Sequence, residues 1–243
     1  MIIGKIMMIQ NSSPVDSVDY LISKKTIELK DKIKEYTLNR FIEEIGISKT
    51  SMVRYLKNIN IPKFTHFKNI MYEEYMHAKV DMRFAKQNIQ LELTEEVKEI
   101  CQKIEKCNRI LILGDGNRFS LLIVQKALTY LGYYCEIPVY LGSEEEVIEE
   151  HDLKGNDLVI ISLHESYNHF CTNRSIFYRN AKFLEIQTKA KIGFIGILET
   201  QKNSNLYFEY GIDKQSFDKR MNQMQKVFLN IMWYLIKHDD INI

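Results

Sequence analysis

Thr37 to Lys68 reads TLNRFIEEIGISKTSMVRYLKNINIPKFTHFK, and this stretch decides how the first third of the chain is read. Leu38, Phe41, Ile42 and Ile45 recur at helical spacing and form the inner face of a short helix. Gly46 follows where the chain must turn through the left-handed region, which glycine enters at least steric cost. Ile47 can plug the space between two helices. Ser48 then suits an N-cap, since its hydroxyl can accept from the free N–H groups of the next turn. The second helix is expected to bury Met52, Leu56 and Tyr55 and to leave Lys49, Thr50, Ser51, Arg54 and Lys57 outward. Helix, tight turn, helix with a basic outer face is the pattern of a helix-turn-helix. The outward set suits the major groove of duplex DNA: Ser and Thr reach phosphates or base edges, and Arg can pair bidentately with guanine.

Working outward, the chain before residue 80 stays helical in texture, with Tyr20, Leu21, Ile22, Ile27 and Ile33 at spacings of three, four and seven. After residue 107 the texture alternates. Five β-rich runs, Arg109–Leu113, Tyr133–Val139, Asp157–Leu163, Ile192–Leu198 and Leu206–Ile212, are separated by helical stretches at Ser120–Leu131, Ser143–His151, Asn168–Ala190 and Lys214–His238. Such alternation indicates a parallel sheet with right-handed crossovers. Three of the runs are continuously apolar, as strands covered on both faces are. The stretch from Tyr75 to Glu95 lacks Gly and Pro and reads as a helix joining the halves. The expected fold class is therefore α plus α/β in two domains: an all-helical domain over 1–77, a helical linker over 78–95, and an α/β domain over 96–243 with a five-stranded parallel sheet flanked by helices. Along the last helix Phe217, Met221, Met224, Phe228, Ile231, Met232 and Leu235 form an apolar face suited to core or dimer contact.

Composition narrows the function classes. The 243 residues are 45% hydrophobic and 27% charged, the range of ordinary globular proteins. Net charge is +1, but from Tyr36 to Ile70 six basic residues (Arg40, Lys49, Arg54, Lys57, Lys63, Lys68) face two acids, Glu43 and Glu44. That local excess points to a polyanion. Cys101, Cys107, Cys135 and Cys171 form no C-x-x-C pair and no metal-spaced cluster with His. Reduced cysteines of a cytoplasmic protein are expected, with no bound metal and no cofactor. No apolar run reaches the length of a membrane span, and the short apolar start MIIGKIMMIQNSS is not read as a signal peptide.

The helix-turn-helix stretch resembles the N-terminal domain of the RpiR/MurR family of bacterial sugar-metabolism regulators. Those proteins show a turn and recognition helix of the form V-S-x-x-T-[IV]-V-R-F, and this chain has Ile47-Ser48-Lys49-Thr50-Ser51-Met52-Val53-Arg54-Tyr55 there without a gap. The family continues K-L-G-F-x-G-F-x-x-[LF]-K. Here Asn58–Lys68 stands in that place, with Asn60 and Lys63 where the family has glycines. Asn tolerates the left-handed conformation, so Asn60 is a mild departure. Residues 104–213 resemble the sugar isomerase (SIS) domain that follows in the same family. Its first strand ends in a Gly-x-Gly-Ser-Ser-like loop, and here Arg109–Leu113 leads into Gly114-Asp115-Gly116-Asn117-Arg118-Phe119-Ser120. A strand-to-helix turn of this kind presents backbone N–H groups to an anion. The third Gly of a dinucleotide fingerprint is missing, so no nicotinamide site is read.

The family's second ligand loop reads S-x-S-G-x-T. Here it is Ser162-Leu163-His164-Glu165-Ser166-Tyr167, with the first Ser kept. The resemblance implies a small-molecule effector, a sugar or sugar phosphate, held by Gly114, Gly116, Asn117, Arg118, Ser120, Ser162, His164, Ser166 and Tyr167. Glu165 would repel a phosphate unless it points away or Arg118 neutralises it. Two readings stay open: a different ligand, or a domain that serves chiefly for dimerisation. His164 and Glu165 are adjacent and need not share a site, and no nucleophile, base and orienting group stand together, so no catalysis is expected. The leading expectation is a transcription regulator that binds duplex DNA as a dimer or tetramer and responds to a metabolite, with no membrane contact. A sugar-phosphate isomerase and a ligand-independent dimerisation module are the alternatives.

Overall fold

The computed structural model describes residues 2–88, 93–114, 118–138, 152–166, 190–197, 206–212 and 216–238. The chain divides into two compact units, one running through Asn88 and one from Ile89 to Asp240.

The first unit is helical throughout: α1 (Ile2–Ser12), α2 (Val18–Glu28), a 3-10 turn (Ile33–Glu35), α3 (Leu38–Ile45), α4 (Lys49–Asn58) and α5 (Phe64–Asn88). Three of these helices begin at a residue whose hydroxyl does what the sequence predicts of Ser48. Ser17 accepts from the Tyr20 amide, Thr37 from Arg40 and Ser48 from Ser51, each satisfying one of the orphan donors of a first turn. Helix α3 ends at Gly46, which sits at φ +75° and whose amide donates to the carbonyls of Ile42 and Glu43. Asn60 also adopts a left-handed conformation, φ +63°, so a glycine is not needed there. Lys63 is not among the positive-φ residues, and the second family glycine is likewise dispensable. Phe41, Met52, Tyr55, Phe67 and Met71 are fully buried, each worth roughly 1.5–3 kcal/mol of transfer free energy. Leu38, Ile42 and Ile45, expected on the same inner face as Phe41, are only half-buried. The apolar start of the chain is α1, which buries Ile3, Ile6 and Met7. Helix α5 continues unbroken to Asn88.

The second unit contains α6 (Glu95–Ile104), β1 (Arg109–Gly114), α7 (Arg118–Tyr130), β2 (Tyr134–Glu136), β3 (Asp157–Ser166), β4 (Lys191–Ile197), β5 (Phe208–Gly211) and α8 (Phe217–His238). All five strands pair in parallel, in the order β2-β1-β3-β4-β5. The expected helices at Ser143–His151 and Asn168–Ala190 lie outside the described residues, Ala190 excepted. Alternation along the strands sorts the core into two faces. Ile110, Ile112, Leu158, Ile160 and Ile195 pack with α6, α7 and α8 on one side. Leu111, Val159, Ile161, Ile192 and Phe194 are buried on the other, with Leu153 and Ala190. Both faces being covered explains why these runs carry no polar alternation. Met224, Phe228, Ile231 and Leu235 of α8 are spent in this core, which leaves them unavailable for contact with a second chain.

Three strands differ from their expected limits by more than one residue, β5 among them, which spans Phe208–Gly211 where Leu206–Ile212 was expected. Strand β2 pairs over three residues where seven were expected, because it is an edge strand that borders β1 alone and Pro138 offers no N–H. Strand β3 runs on through Ser166, so Ser162 to Ser166 are strand residues rather than a loop. The register against β4 shifts there: Ser162 pairs with Ile195 and Ser166 with Ile197, a bulge that absorbs the extra polar residues. Gly193 on β4 faces Phe208 on β5, and a methyl group on Gly193 would overlap the Phe208 ring.

Candidate functional site

Two places carry chemistry, one in each unit. In the first, α4 presents Lys49, Thr50, Arg54 and Lys57 to solvent, while Met52, Tyr55 and Leu56 hold its other side in the core. Ser51 departs from the expected outward role. It is half-buried, and its hydroxyl lies 3.0 Å from Ser48 Oγ, so it completes the cap. Tyr55 anchors α4 from below: its hydroxyl and that of Ser23 on α2 form a buried hydrogen bond of 2.8 Å. Burial pushes the Tyr55 phenol well above its ordinary pKa, which keeps it neutral and able to donate.

The six basic residues of Tyr36–Ile70 are not equivalent. Arg40 lies 3.3 Å from Glu44 and stacks on the Tyr36 ring at 4.3 Å. Lys68 donates to the carbonyls of Lys34 and Tyr36, at 2.8 and 2.9 Å, and so ties α5 to the 3-10 turn. Both are consumed within the unit. Glu44 also receives Lys25 at 2.8 Å and the Tyr36 hydroxyl at 3.2 Å. The Lys25 hydrogen bond leads the effects that hold the Glu44 carboxyl below its usual range, joined by those from Tyr36 and Arg40. Lys49, Arg54, Lys57 and Lys63 are exposed and take part in no ion pair among the described residues. Four cations on and beside one helix, unpaired among the described residues, with Glu44 held by Lys25 and Arg40, are the electrostatic feature of this unit. Lys63 entered the sequence reading only as one of the six; its freedom shows once the partners of Arg40 and Lys68 are known.

In the second unit, Gly114 ends β1 and pairs in register with Ser162 on β3. These strands are neighbours though not consecutive, and the chain leaves β1 for β2 on one side and reaches β3 on the other. That makes the pair the topological switch point of the sheet, where the carboxyl ends of parallel strands open a crevice. By alternation Ser162 faces the same side as Leu158 and Ile160, the side of α7. Its Oγ is fully buried and without a hydrogen-bond partner among the described residues. A buried orphan hydroxyl costs about 1–3 kcal/mol, and a polar group arriving in the crevice would relieve it. Arg118 and Ser120 stand in the first turn of α7, and His164 and Ser166 lie on β3. Gly116, Asn117 and Tyr167 lie outside the described residues, as do Asp115, His151, His169 and Cys171. The opposite end of the sheet is closed by a buried ion pair, Arg109 to Asp157 at 2.9 Å, with the Lys154 amide also donating to Asp157.

Cys101, Cys107 and Cys135 are buried and unpaired with one another. Burial raises all three thiols, Cys101 to about 12, which removes them as nucleophiles at neutral pH. Among the described residues no helix is long and apolar enough to cross a membrane.

No family model matches the chain, and no curated protein matches it. Among solved structures it is similar to the Vibrio vulnificus NanR protein complexed with ManNAc-6P, at 8% identity and a TM-score of 0.38, over 95% of this chain and 89% of that one. It is also similar to the sugar isomerase domain of an RpiR transcription factor from Sphaerobacter thermophilus, at 10% identity and a TM-score of 0.38, over 65% of this chain and 87% of that one. The fold stands on the strand order and the two core faces described above.

Proposed function

We propose that the chain is a DNA-binding transcription regulator whose first unit grips duplex DNA through α4 and whose second unit holds a small effector at the β1/β3 switch point. The observation that supports it most is the set of unpaired cations Lys49, Arg54, Lys57 and Lys63 around a capped, core-anchored helix. Thr50 at the helix start and Arg54 one turn on are exposed and are the residue types that read phosphates and guanine. The resemblance of Ile47–Tyr55 to the recognition segment of the RpiR/MurR regulators points the same way. The effector is neutral or amine-bearing in this reading, because Asp115 and Glu165 lie beside Gly114 and Ser162 in the sequence and Arg118 is the cation nearest them in the sequence. No catalytic role is assigned: Ser162 has no base beside it among the described residues.

Binding of a duplex of mixed sequence, followed by fluorescence anisotropy across a salt series, tests the DNA half. Affinity should fall steeply with salt, with a slope near one unit per phosphate contact. Affinity that is absent at low salt would sink the reading. A thermal-shift series of unphosphorylated sugars, amino sugars and sugar phosphates tests the effector half, since a ligand specific to the folded state must raise its stability.

A further inference from the structure

The buried stripe of α8 begins with a cation. Met224, Phe228, Ile231 and Leu235 are buried over the sheet, and Arg220 stands one turn before Met224 on the same side of the helix. Its Nε is buried and has no hydrogen-bond partner among the described residues, and it forms no ion pair among them. A guanidinium taken out of water without a partner is unfavourable, so a group that meets it there is bound the more firmly.

The topology puts Arg220 at the same end and on the same face of the sheet as Ser162. Helix α8 follows β5 and therefore starts at the carboxyl ends of the parallel strands. It lies over β3, in contact with α6 and α7. Farther along α8, Ile231 reaches Cys101 of α6, so it is the first turns of α8, Arg220 among them, that stand over the carboxyl end. β3 is the middle strand, and Ser162 near its end faces the side that α8 covers. Ser162 Oγ and Arg220 Nε are thus two buried, unpartnered donors on one side of one crevice.

We propose that Arg220 and Ser162 together hold a carboxylate of the effector, and that the effector is a small amine-bearing carboxylate, neutral overall as a zwitterion. This rests on the reading of the β1/β3 switch point as the effector site. The Nε–H and a terminal N–H of a guanidinium form a planar fork that a carboxylate meets with two parallel hydrogen bonds, and the Ser162 hydroxyl donates to one of the same oxygens. A phosphate monoester brings about two charges and three strong acceptor oxygens, more than one guanidinium and one hydroxyl answer. Arg118 and Arg220 stand against Asp115 and Glu165, two charges of each sign, which a zwitterion matches and a phosphate does not.

The test follows the Arg220 Nε–H resonance of the full, nitrogen-labelled chain, assigned by its loss in Arg220→Lys. Acetate, γ-aminobutyrate, inorganic phosphate or sodium chloride is added at matched ionic strength. Acetate and γ-aminobutyrate should move the resonance along saturating curves, γ-aminobutyrate at the lowest concentration and phosphate at a higher one than either. Ser162→Ala should weaken the γ-aminobutyrate curve by about threefold to tenfold, the loss of one hydrogen bond. Arg220→Lys, which keeps the charge but not the fork, should lose most of the thermal stabilisation by γ-aminobutyrate. Movement that does not saturate, phosphate tighter than the carboxylates, or an Arg220→Lys or Ser162→Ala variant that binds as the wild type does overturns the proposal. If the carboxylates fail while glucose or glucosamine raises the melting temperature in a manner lost on Ser162→Ala, the carboxylate assignment falls and the effector site stands. If no probe stabilises the chain, both fall.

Discussion

The hydroxyls of Tyr55 and Ser23 meet 2.8 Å apart inside the first unit, and the two are not interchangeable partners. Ser23 Oγ also donates to the Asp19 carbonyl at 2.7 Å, whereas Ser23 is the one partner of the Tyr55 hydroxyl among the described residues. Tyr55→Phe therefore strands nothing and should cost about 1 kcal/mol in urea unfolding, while Ser23→Ala leaves a buried phenol unsatisfied and should cost about 1–3 kcal/mol. Equal losses would mean that Tyr55 finds another acceptor.

On α4, Arg54→Ala should weaken binding to a preferred DNA sequence by roughly 1–3 kcal/mol and relax preference at one base position. Lys57→Ala and Lys63→Ala should weaken all sequences alike and reduce the salt slope by about one unit each. Arg40→Ala should leave the slope unchanged, because that cation is already held by Glu44. A salt titration of the four variants separates these outcomes.

For Ser162→Ala the expected sign is opposite to that of most buried substitutions. Removing an unpartnered hydroxyl should leave the free protein as stable as before, or more so by up to about 1 kcal/mol. Any thermal stabilisation by the effector should shrink. A large loss of stability in the free protein would show that Ser162 is bonded in solution.

The cluster at Glu44 makes stability depend on pH in a defined direction. Its folded pKa lies below the ordinary value of 4.5, so its contribution is complete above that pH and is lost as pH falls through the folded value. Lys25, raised above 10.5 chiefly by the Glu44 hydrogen bond, gives a contribution that is complete below that pH and is lost as pH rises through its folded value. Glu44→Gln should be less stable than the wild type at neutral pH, and the difference should vanish in acid. A difference that persists below the folded pKa of Glu44 would point to packing rather than charge.

At the β4/β5 rung, Gly193→Ala forces the Phe208 ring out of a filled position and should cost about 1–3 kcal/mol. Gly193→Ala combined with Phe208→Leu should recover part of that loss. If the pair is no better than the single change, the backbone of β4 and not the ring is what requires glycine.

The elements that depend on near neighbours were legible in the sequence. Gly46, Ser48 and the 3.6-residue spacing around them act within a few residues, and the apolar runs of β1, β3 and β4 announce strands buried on both sides. The use of Lys68 was not legible, since the carbonyls of Lys34 and Tyr36 that it reaches are set by how α5 meets the 3-10 turn, whereas the pairing of Arg40 with Glu44 is an i,i+4 spacing within α3. A polar stretch such as Ser162–Ser166 reads as a loop because nothing local tells a strand with a bulge from one that ends. The half-buried state of Leu38, Ile42 and Ile45 was hidden for a related reason: periodicity assigns a face but not how deeply a short helix sinks.

Helix α8 lies against α6 and α7 over the sheet, and Cys101 of α6 touches the Ile231 carbonyl across 130 residues of chain. During synthesis this has a temporal meaning. The first unit draws its core from residues up to 88 and can close while the ribosome is still making the sheet. The second cannot bury Ile100, Val124 or Leu128 until residues 217–238 have left the exit tunnel, so its apolar side waits uncovered for most of translation. A stalled or shortened chain would thus release one finished unit joined to one sticky, open one, a form that chaperones and proteases recognise.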